Sequence, residues 1–396
     1  MATILYLTRN GLLEPLGQSQ VFGYLKGLAR DHSITLITHE KLGDWTDGKE
    51  MAAAIAQCAE AGINWQPRPF RGGRRGISGA QDLVAFARAA TNFVGNQKVE
   101  LVHARSYLPA AIAWYVWRRT GVPFIFDMRA LWPEELITAG RVKRDSITHR
   151  VLLAIERVCL RDAAAVVSLT HAAVNHLRQT YPTELDGQCI AVIPTCADLD
   201  RFTPSVMPRM GPRVYGCIGT ILSGWFRTDW LAALFAAAAA RDPDARFDIV
   251  TRDDADSVRQ TVDPQGVLGA RLTIGSRRPQ DMPDAVRCHD VSVMFFTDGL
   301  SKLGSSPTRL GEVLGCGLPV IANDGVGDVA AIITQHRVGV LATGPSSEEM
   351  EAALDALDVL MTDPKLSARC RATAEQVFSL ERGVAAYDGL YRSITS

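Results

Sequence analysis

The stretch that decides the fold is residues 289–328, HDVSVMFFTDGLSKLGSSPTRLGEVLGCGLPVIANDGVGD. Its apolar run, residues 291–296, predicts a buried parallel strand. After a polar, glycine-containing loop, Ser306 and Pro307 predict a helix start, with serine as N-cap and proline at the first helical position. Gly317 fits the end of this helix, and residues 318–322 form the next strand. The stretch therefore predicts a strand, a loop, a helix and a return strand.

The start of this helix has the chemistry of a phosphate site. Unpaired N–H groups and the positive end of the helix dipole favour an anion there. Arg309 lies in the first turn and can neutralise a diphosphate with two hydrogen bonds, while Glu312 follows on the same face and can bind two neighbouring hydroxyls. Gly311 and Gly315 indicate close backbone approach. The alternative is a Rossmann-like helix that packs on its sheet and binds no ligand.

The segment SSPTRLGEVLGCGLPVIAN, residues 305–323, resembles the nucleotide-sugar site of GT-B glycosyltransferases, especially glycosyltransferase family 4. The resemblance implies that Glu312 holds the donor ribose and that the basic residue near position 309 holds the diphosphate. The family usually has a second glutamate eight residues earlier, where this chain has Gly304. Lys302 or backbone groups are then expected to supply the contact to the sugar.

Composition and charge limit the classes of function that the chain can have. The 396 residues are enough for two or three domains, and 47% hydrophobic with 21% charged content is ordinary for a globular protein. A net charge of -1 gives no sign of a nucleic-acid partner. The first residues, MATILYLTRN, predict a strand rather than a signal peptide, and no apolar run is long enough to span a membrane. The eight cysteines form no CxxC pair, so we expect reduced thiols, no metal and a cytoplasmic location.

The amino-terminal end predicts a doubly wound sheet. A strand at 3–7, a loop at 8–20, a helix at 21–30 and a strand at 34–38 follow one another. Ligands of such sheets bind beyond the carboxyl ends of the strands. Gly17, Gln18, Ser19 and Gln20 are therefore candidates for an acceptor or phosphate loop, since family 4 enzymes usually carry a glycine-rich loop here. A plain turn with a helix cap is the alternative.

A basic, glycine-rich connection follows at residues 70–79, FRGGRRGISG. Arg71, Arg74 and Arg75 can meet an anionic lipid surface or a diphosphate-linked acceptor. A solvated loop is the alternative. Contact with the inner membrane surface is accordingly a further expectation.

Charged residues cluster after two apolar strands, at residues 101–107 and 122–135. Such a set beside buried strands is typical of a site, and the alternative is a structural ion pair with helix-capping glutamates. This half resembles the acceptor domain of family 4, and the position that often holds a histidine near the anomeric centre is Arg129 here. The charged and polar residues at these strand ends are His103, Arg105, Asp127, Arg129, Glu134 and Glu135. The candidates for the reacting centre are His103, Asp127, Arg129 and Glu134, and Arg105 is a candidate for contact with the acceptor or a phosphate.

Residues 195–202, TCADLDRF, resemble the end of the family's first domain, and the proline-rich segment 203–212 predicts a linker. We therefore expect an acceptor-binding domain at 1–203, a nucleotide-sugar-binding domain at 213–380, and a last helix at 381–396 that crosses back to the first domain. The predicted fold class is α/β, GT-B, with two Rossmann-like domains facing each other across a cleft.

Further donor-binding candidates in the second half come from loops that follow its strands. Arg227 is a candidate to replace the basic residues that the family usually has after its first strand in this domain. The resemblance also implies that the loop at 275–283 packs on the nucleobase, and an exposed turn is the alternative. The full set of donor candidates is Gly219, Thr220, Arg227, Arg252, Ser276, Arg278, Lys302, Ser305, Ser306, Thr308, Arg309 and Glu312.

The resulting prediction is a glycosyltransferase that uses a UDP- or GDP-linked sugar and a saccharide or lipid-linked saccharide acceptor in polysaccharide or glycoconjugate assembly. Family 4 implies retention of configuration and no metal cofactor. Asp-x-Asp triplets begin at Asp198, Asp242 and Asp254, outside the predicted phosphate site. The alternatives are a GT-B sugar-nucleotide epimerase, which needs carboxylates beside the sugar, and a non-catalytic nucleotide-sugar-binding protein.

Overall fold

The computed structural model describes residues 1–45, 48–70, 77–207 and 209–396. They form two compact units, one made of residues 1–194 and 380–396 and the other of residues 195–379. Arg71, Arg74 and Arg75 lie outside the described residues.

In the described part of the first unit, seven parallel strands form one sheet in the order β3-β2-β1-β4-β5-β6-β7. Most of their residues are buried on both faces, which explains the continuous apolar runs in the sequence. The strands are β1 Thr3–Thr8, β2 Ser33–Lys41, β3 Ile63–Phe70, β4 Leu101–Arg105, β5 Phe124–Asp127, β6 Ala165–Ser168 and β7 Ile190–Val192.

The helices of this unit lie mostly between successive strands, as parallel pairing requires. They are α1 Pro15–Gly17, α2 Gly23–Leu28, α3 Leu42–Trp45, α4 Gly48–Glu60, α5 Ile77–Asn96, α6 Tyr107–Thr120, α7 Trp132–Thr138, α8 Ile147–Asp162 and α9 His171–Thr180. A single π-helical turn, Gln18–Phe22, joins α1 to α2. The chain after β1 is therefore already helical at Pro15, where a loop as far as residue 20 was predicted.

In the described part of the second unit, six parallel strands form a sheet in the order β10-β9-β8-β11-β12-β13. The strands are β8 Val214–Ile218, β9 Arg246–Val250, β10 Leu272–Gly275, β11 Val291–Met294, β12 Val320–Ala322 and β13 Gly339–Leu341. The helices are α10 Thr228–Arg241, α11 Ala255–Val262, α12 Met282–Arg287, α13 Leu300–Leu303, α14 Thr308–Gly315, α15 Val329–His336, α16 Ser347–Met361 and α17 Leu366–Val377. Its core consists of two apolar clusters. One includes Phe235 and Phe247, and the other includes Leu310 and Val313.

The second unit begins at Thr195, earlier than the predicted boundary at residue 203. The segment after Thr195 packs on α14, where the two glycines of that helix make room for it. A Cβ at Gly311 would lie 3.3 Å from that of Ala197, and one at Gly315 would lie 2.8 Å from Leu199 Cδ2. The close approach predicted for these glycines is therefore to the chain itself.

The last helix, α18 Leu380–Thr395, belongs to the first unit. It packs on α2, where a Cβ at Gly27 would lie 2.7 Å from Val384 Cγ2. His32 Nε2 and Asp388 Oδ1 are 2.7 Å apart on the same side. A break at Phe378 and Ser379 separates α17 from α18.

Candidate functional site

In the second sheet, the candidate site lies at the point where the strand order reverses. β8 and β11 are neighbours, and the chain continues to β9 on one side and to β12 on the other. In open α/β sheets such a switch point creates a crevice at the carboxyl ends of the strands. The chain leaves β8 at Gly219, whose φ is 105°, and leaves β11 through Phe295 and Phe296 before it reaches α14.

Arg309 lies at this edge, in the first turn of α14. Its guanidinium is 5.1 Å from the centroid of the Phe296 ring. A Cβ at Gly219 would lie 2.3 Å from Arg309 Nη2, so the arginine occupies space that only glycine leaves open. Arg309 Nη1 is buried and has no hydrogen-bond partner among the described residues. Burial lowers the pKa of the guanidinium, which still stays charged. A buried cation with an unused donor favours an anionic ligand.

The sequence did not indicate how Phe296 is held beneath this arginine. Asn323 Oδ1 accepts a hydrogen bond from the Phe296 N–H at 2.8 Å, and its Nδ2 donates to the Phe296 carbonyl at 2.9 Å. Asn323 follows β12, so one amide side chain ties together the ends of two neighbouring strands. It was quoted within the family motif, but no role was predicted for it.

Glu312 lies one turn after Arg309 and is half-buried. Burial raises the pKa of its carboxyl group, while the charges of Arg309 and Arg201 act in the opposite sense. The carboxylate makes no hydrogen bond to the residues that the structure describes. It is therefore available to accept hydrogen bonds from hydroxyls of a ligand.

The predicted N-cap at Ser306 is wrong. The helix begins at Thr308, and Pro307 occupies the cap position without a side-chain hydrogen bond. Ser306 is engaged elsewhere, since its Oγ accepts from the Thr195 N–H at 3.2 Å and lies 3.0 Å from Thr195 Oγ1. The start of α14 is therefore uncapped by any side chain, which suits the binding of a phosphate. Ser305 is half-buried just before it.

Lys302 approaches the loop after β8 from the side of β11. Only 7% of Lys302 is exposed, and its Nζ lies 3.5 Å from the centroid of the Trp225 ring. This is a cation–π contact, which holds the charge in place at the edge of the site. Trp225 was not among the predicted site residues, because an aromatic residue in a loop carries no such signal in sequence.

Arg227 holds the loop around Phe296 and Asp298 together. Its Nε donates to the Phe296 carbonyl at 3.2 Å, and its Nη2 pairs with Asp298 at 3.0 Å. Thr220 is exposed beside Gly219. The loop is also fixed by Asp253, which was not predicted, since its Oδ2 accepts from the N–H groups of Ile221 at 2.6 Å and Leu222 at 2.9 Å.

The remaining donor candidates lie at the surface. Arg252, Ser276 and Arg278 are exposed, and Arg278 pairs with Asp281 at 2.8 Å. Among the described residues, no hydrogen bond or ion pair joins these three to Arg309 or Glu312. The structure places Gly219, Arg309 and Glu312 at one edge of the sheet.

In the first unit, the predicted charges at the ends of β4 and β5 do come together, around Asp127. Asp127 Oδ2 lies 3.4 Å from His103 Nε2 and 3.5 Å from Arg105 Nη1, and its Oδ1 lies 3.6 Å from Arg129 Nη1. Tyr387 of α18 donates its hydroxyl to Oδ2 at 3.0 Å. Asp127 is completely buried. Its contacts make it a partner of the two arginines.

Electrostatics of this cluster favour an ionised aspartate and a neutral histidine. Burial opposes ionisation of Asp127, but Arg129, the His103 hydrogen bond and Arg105 outweigh it and lower its pKa to about 2. Burial lowers the pKa of His103 despite the nearby aspartate. His103 Nδ1 lies 2.7 Å from the Tyr391 hydroxyl. Tyr387 and Tyr391 were not predicted, although their four-residue spacing on a terminal helix places them on one face.

The backbone is strained beside this cluster. Ser106 has a φ of 75° and Arg129 a φ of 61°, both unusual for residues other than glycine. Strain of this kind is concentrated at functional sites. Arg129 Nε and Nη2 are buried without a hydrogen-bond partner in the described part of the chain. Arg129 therefore has unused donors, as Arg309 does.

Two other candidates of this unit, Glu134 and Gly17, make contacts within the described chain. Glu134 pairs with Arg144 through two hydrogen bonds, at 2.6 and 3.1 Å, and no described contact joins it to Asp127. Gly17 packs against its own chain, since a Cβ there would lie 2.0 Å from the Gly11 carbonyl oxygen. The glycine therefore leaves room for the Gly11 carbonyl within the chain.

The other residues of the predicted acceptor loop are helical. Gln18 Nε2 donates to the Leu12 carbonyl at 2.9 Å. Ser19 is exposed, whereas Gln20 is buried. The segment before them is held by Glu40, a buried residue that was not predicted, whose carboxylate accepts from the Leu12 N–H at 2.7 Å.

Within residues 1–45, 48–70, 77–207 and 209–396, no group of three or more His, Cys, Asp or Glu side chains is placed to hold a metal ion. None of the described helices has both the length and the apolar content needed to cross a membrane.

Family models match most of the chain. Residues 18–196 match a glycosyl transferase 4-like domain, and residues 212–359 match the glycosyl transferases group 1 domain. No curated protein matches the chain.

Several solved structures share the fold along the whole chain. Sucrose-phosphate synthase from Thermosynechococcus elongatus has 16% identity and a TM-score of 0.69, covering 100% of this chain and 99% of that one. HepE from Anabaena, in complex with UDP-glucose, has 16% identity and a TM-score of 0.69, covering 99% of this chain and 100% of that one. A putative UDP-N-acetylglucosamine 2-epimerase from Listeria monocytogenes has 12% identity and a TM-score of 0.60, covering 99% of this chain and 96% of that one. At such identities the likeness establishes the fold alone.

Proposed function

We propose a specific reaction for this chain, which belongs to the glycosyltransferases, with a glycosyl transferase 4-like domain followed by a group 1 domain. It transfers a sugar from a nucleotide-sugar donor to an acceptor hydroxyl. The observation that carries this proposal is Arg309, a half-buried arginine at the uncapped start of α14 whose buried Nη1 has no hydrogen-bond partner among the described residues. Gly219 leaves the space for it, and Glu312 offers a carboxylate one turn away.

The donor is held by two groups of opposite charge. The diphosphate accepts hydrogen bonds from Arg309 and from the first N–H groups of α14, and the ribose hydroxyls donate to Glu312. Lys302, fixed on Trp225, adds positive charge near the transferred sugar. The UDP-glucose complex of HepE supports a UDP-linked donor over a GDP-linked one.

The reaction breaks the bond between the anomeric carbon and the diphosphate oxygen. Negative charge grows on the departing diphosphate, and Arg309 with the helix start stabilises it in place. The acceptor oxygen bonds to the anomeric carbon on the same face, and its proton passes to the departing phosphate. Configuration is therefore retained, and the protein supplies the electrostatic stabilisation without a metal ion.

The first unit is proposed to bind the acceptor. Arg129 orients a polar group of the substrate through its unused Nε and Nη2, and Asp127 acts as a positioning residue for it. His103 supports Asp127 in the same cluster. The acceptor is a saccharide or a lipid-linked saccharide, in polysaccharide or glycoconjugate assembly.

A cytoplasmic enzyme at the inner membrane surface is also proposed. At the start of α8, Ile147 is 82% exposed and Val151 is 51% exposed. The basic residues Lys143 and Arg150 are exposed beside them. Apolar and basic side chains together suit a surface of anionic lipid.

The test uses the purified full chain with UDP-glucose, other UDP-sugars and their GDP analogues. Calorimetry measures binding, and UDP release with and without a mixture of saccharide acceptors measures transfer. We expect binding of at least one UDP-sugar and nucleotide release that depends on an acceptor. Conversion of the sugar without an acceptor, followed by NMR, would identify an epimerase instead. Binding without either reaction would identify a non-catalytic protein, and no binding of any sugar nucleotide would overturn the proposal.

A further inference from the structure

A cavity of about 170 Å³ lies in the first unit, between α5, α6 and the ends of three strands. Arg9 follows β1 directly, His39 lies near the end of β2, and Phe70 ends β3. The cavity is therefore at the carboxyl edge of the sheet, where ligands of doubly wound folds bind. Its lining residues are Arg9, His39, Phe70, Leu83, Phe86, Leu108, Pro109 and Ile112.

Most of this lining is apolar. Leu83 and Phe86 come from α5, and Leu108, Pro109 and Ile112 come from α6. Among the described lining residues, Arg9 carries the one permanent charge, and its guanidinium lies 5.7 Å from the centroid of the Phe70 ring. The cavity thus has an apolar body and a basic group beside Phe70.

His39 adds to the apolar character. Its ring lies 4.3 Å from the Phe86 ring and 5.5 Å from the Phe70 ring. Burial lowers the pKa of His39 to about 4, with Asp82 acting against the shift and Arg9 with it. The imidazole is therefore uncharged near neutral pH.

The volume limits what can enter. Sites that hold whole drug-sized ligands measure about 300–1,000 Å³, so this cavity is too small for a complete glycoside. An engineered apolar cavity of about 150 Å³ in another protein binds benzene. The space here therefore matches a group of about six carbon atoms.

We propose that this cavity, which nothing in the family assignment specifies, binds the apolar group of the acceptor. The acceptor is then an amphiphile, with its sugar outside the cavity and an alkyl or aryl group of about six carbons within it. This proposal rests on the proposed glycosyl transfer, because it names the class of acceptor for that reaction.

The test compares ligands that differ only in this group. Binding of methyl, hexyl and phenyl β-glucosides to the full chain is measured by saturation-transfer NMR titration, below the micellar concentration of the hexyl compound. Each buried methylene is worth about fourfold in affinity. We therefore expect the hexyl or the phenyl glucoside to bind at least tenfold more tightly than the methyl glucoside.

The variants Leu83→Gln and Leu108→Gln make the lining polar at two half-buried positions. Each is expected to reduce the preference for the apolar group to less than threefold. Val84→Gln is the matched control, because Val84 is the next residue of α5, is 47% exposed and does not line the cavity. It should keep the full preference. Two lining positions are used so that one variant that fails to fold leaves the other.

Calorimetry with UDP on the same samples separates this proposal from the proposed function. If UDP binds and the three glucosides bind equally, the cavity does not hold the acceptor and the inference is wrong. The inference is also wrong if both lining variants fold and keep the wild-type preference. If UDP and all sugar nucleotides fail to bind, the proposed function falls, and with it the assignment of the cavity to an acceptor.

Discussion

The contact between Gly219 and Arg309 allows a test that separates donor binding from folding. In Gly219→Ala the new Cβ would lie 2.3 Å from Arg309 Nη2 and 2.7 Å from its Cζ. Ordinary van der Waals contacts begin at 3.4 Å, so the guanidinium must move by about 1 Å. The clash falls on the end of a flexible side chain, which can turn away. We therefore expect the protein to fold with its arginine displaced from the phosphate position.

The magnitude follows from the hydrogen bonds at stake. Charged hydrogen bonds contribute about 1.5–3 kcal/mol, so loss of the Arg309 contact should weaken UDP binding by about 10- to 150-fold. The alanine also takes a backbone angle that glycine tolerates better, which costs about 1–3 kcal/mol of stability. Gly224→Ala is the control, because Gly224 lies in the same loop with a φ of 73° and nothing within 4 Å of its added Cβ.

The assay is calorimetric titration of both variants with UDP, together with a thermal unfolding curve for each. Gly224→Ala should lose some stability and bind UDP like the wild type. Gly219→Ala should unfold in a similar range but bind UDP at least tenfold more weakly. Equal UDP affinity in the two variants would show that Arg309 does not hold the phosphates, and the site at α14 would have to be abandoned.

The remaining predictions concern the ribose, the buried cluster, acid stability and metals. Wild-type protein should bind UDP more tightly than 2′-deoxy-UDP, and Glu312→Ala should lose that preference in calorimetry; a variant that keeps it removes Glu312 from the ribose. Asp127→Asn and Arg129→Lys should lower the rate of transfer at least tenfold with unchanged UDP affinity, whereas normal rates in folded variants would make the cluster purely structural. Because the pKa of His39 is lowered to about 4, its stabilising contribution is present above about pH 6.5, and about 3 kcal/mol of the free energy of unfolding is lost as the pH falls to about 4. Thermal unfolding should show this loss in the wild type and a smaller loss in His39→Phe. An equal loss in both proteins would disprove the prediction. Transfer should continue in EDTA, and a loss that magnesium or manganese restores would contradict the metal-free reaction.

The sequence predicts the parts of this fold that local patterns determine. Buried parallel strands need apolar side chains on both faces, so β11 and β12 are visible as short apolar runs. Arg309 and Glu312 are placed correctly on one helix because their spacing of three residues is a property of any helix. The alternation of strands and helices likewise predicts two doubly wound sheets.

Contacts between distant parts of the chain could not be predicted in this way. Ser306 has the residue type of an N-cap, but its partner is Thr195, 111 residues away, and that contact takes precedence over the local one. Asp253 holds the loop after β8 from 32 residues further on. Tyr387 reaches Asp127 across 260 residues. A buried aspartate and an exposed one look alike in sequence, because burial depends on what folds over the end of the strand.

The discontinuous first unit has a consequence for synthesis of the protein. The helix that covers Asp127 is made after residues 195–379 of the second unit. At about 5–20 residues per second, these residues delay that helix by about 10–40 s. We therefore expect the second unit to finish folding first. Until α18 is in place, the face of the first unit around Asp127, which carries both charged and apolar side chains, stays open to chaperones. A chain that stops before Leu380 would never close that face, so quality control in the cell should recognise a product that lacks α18.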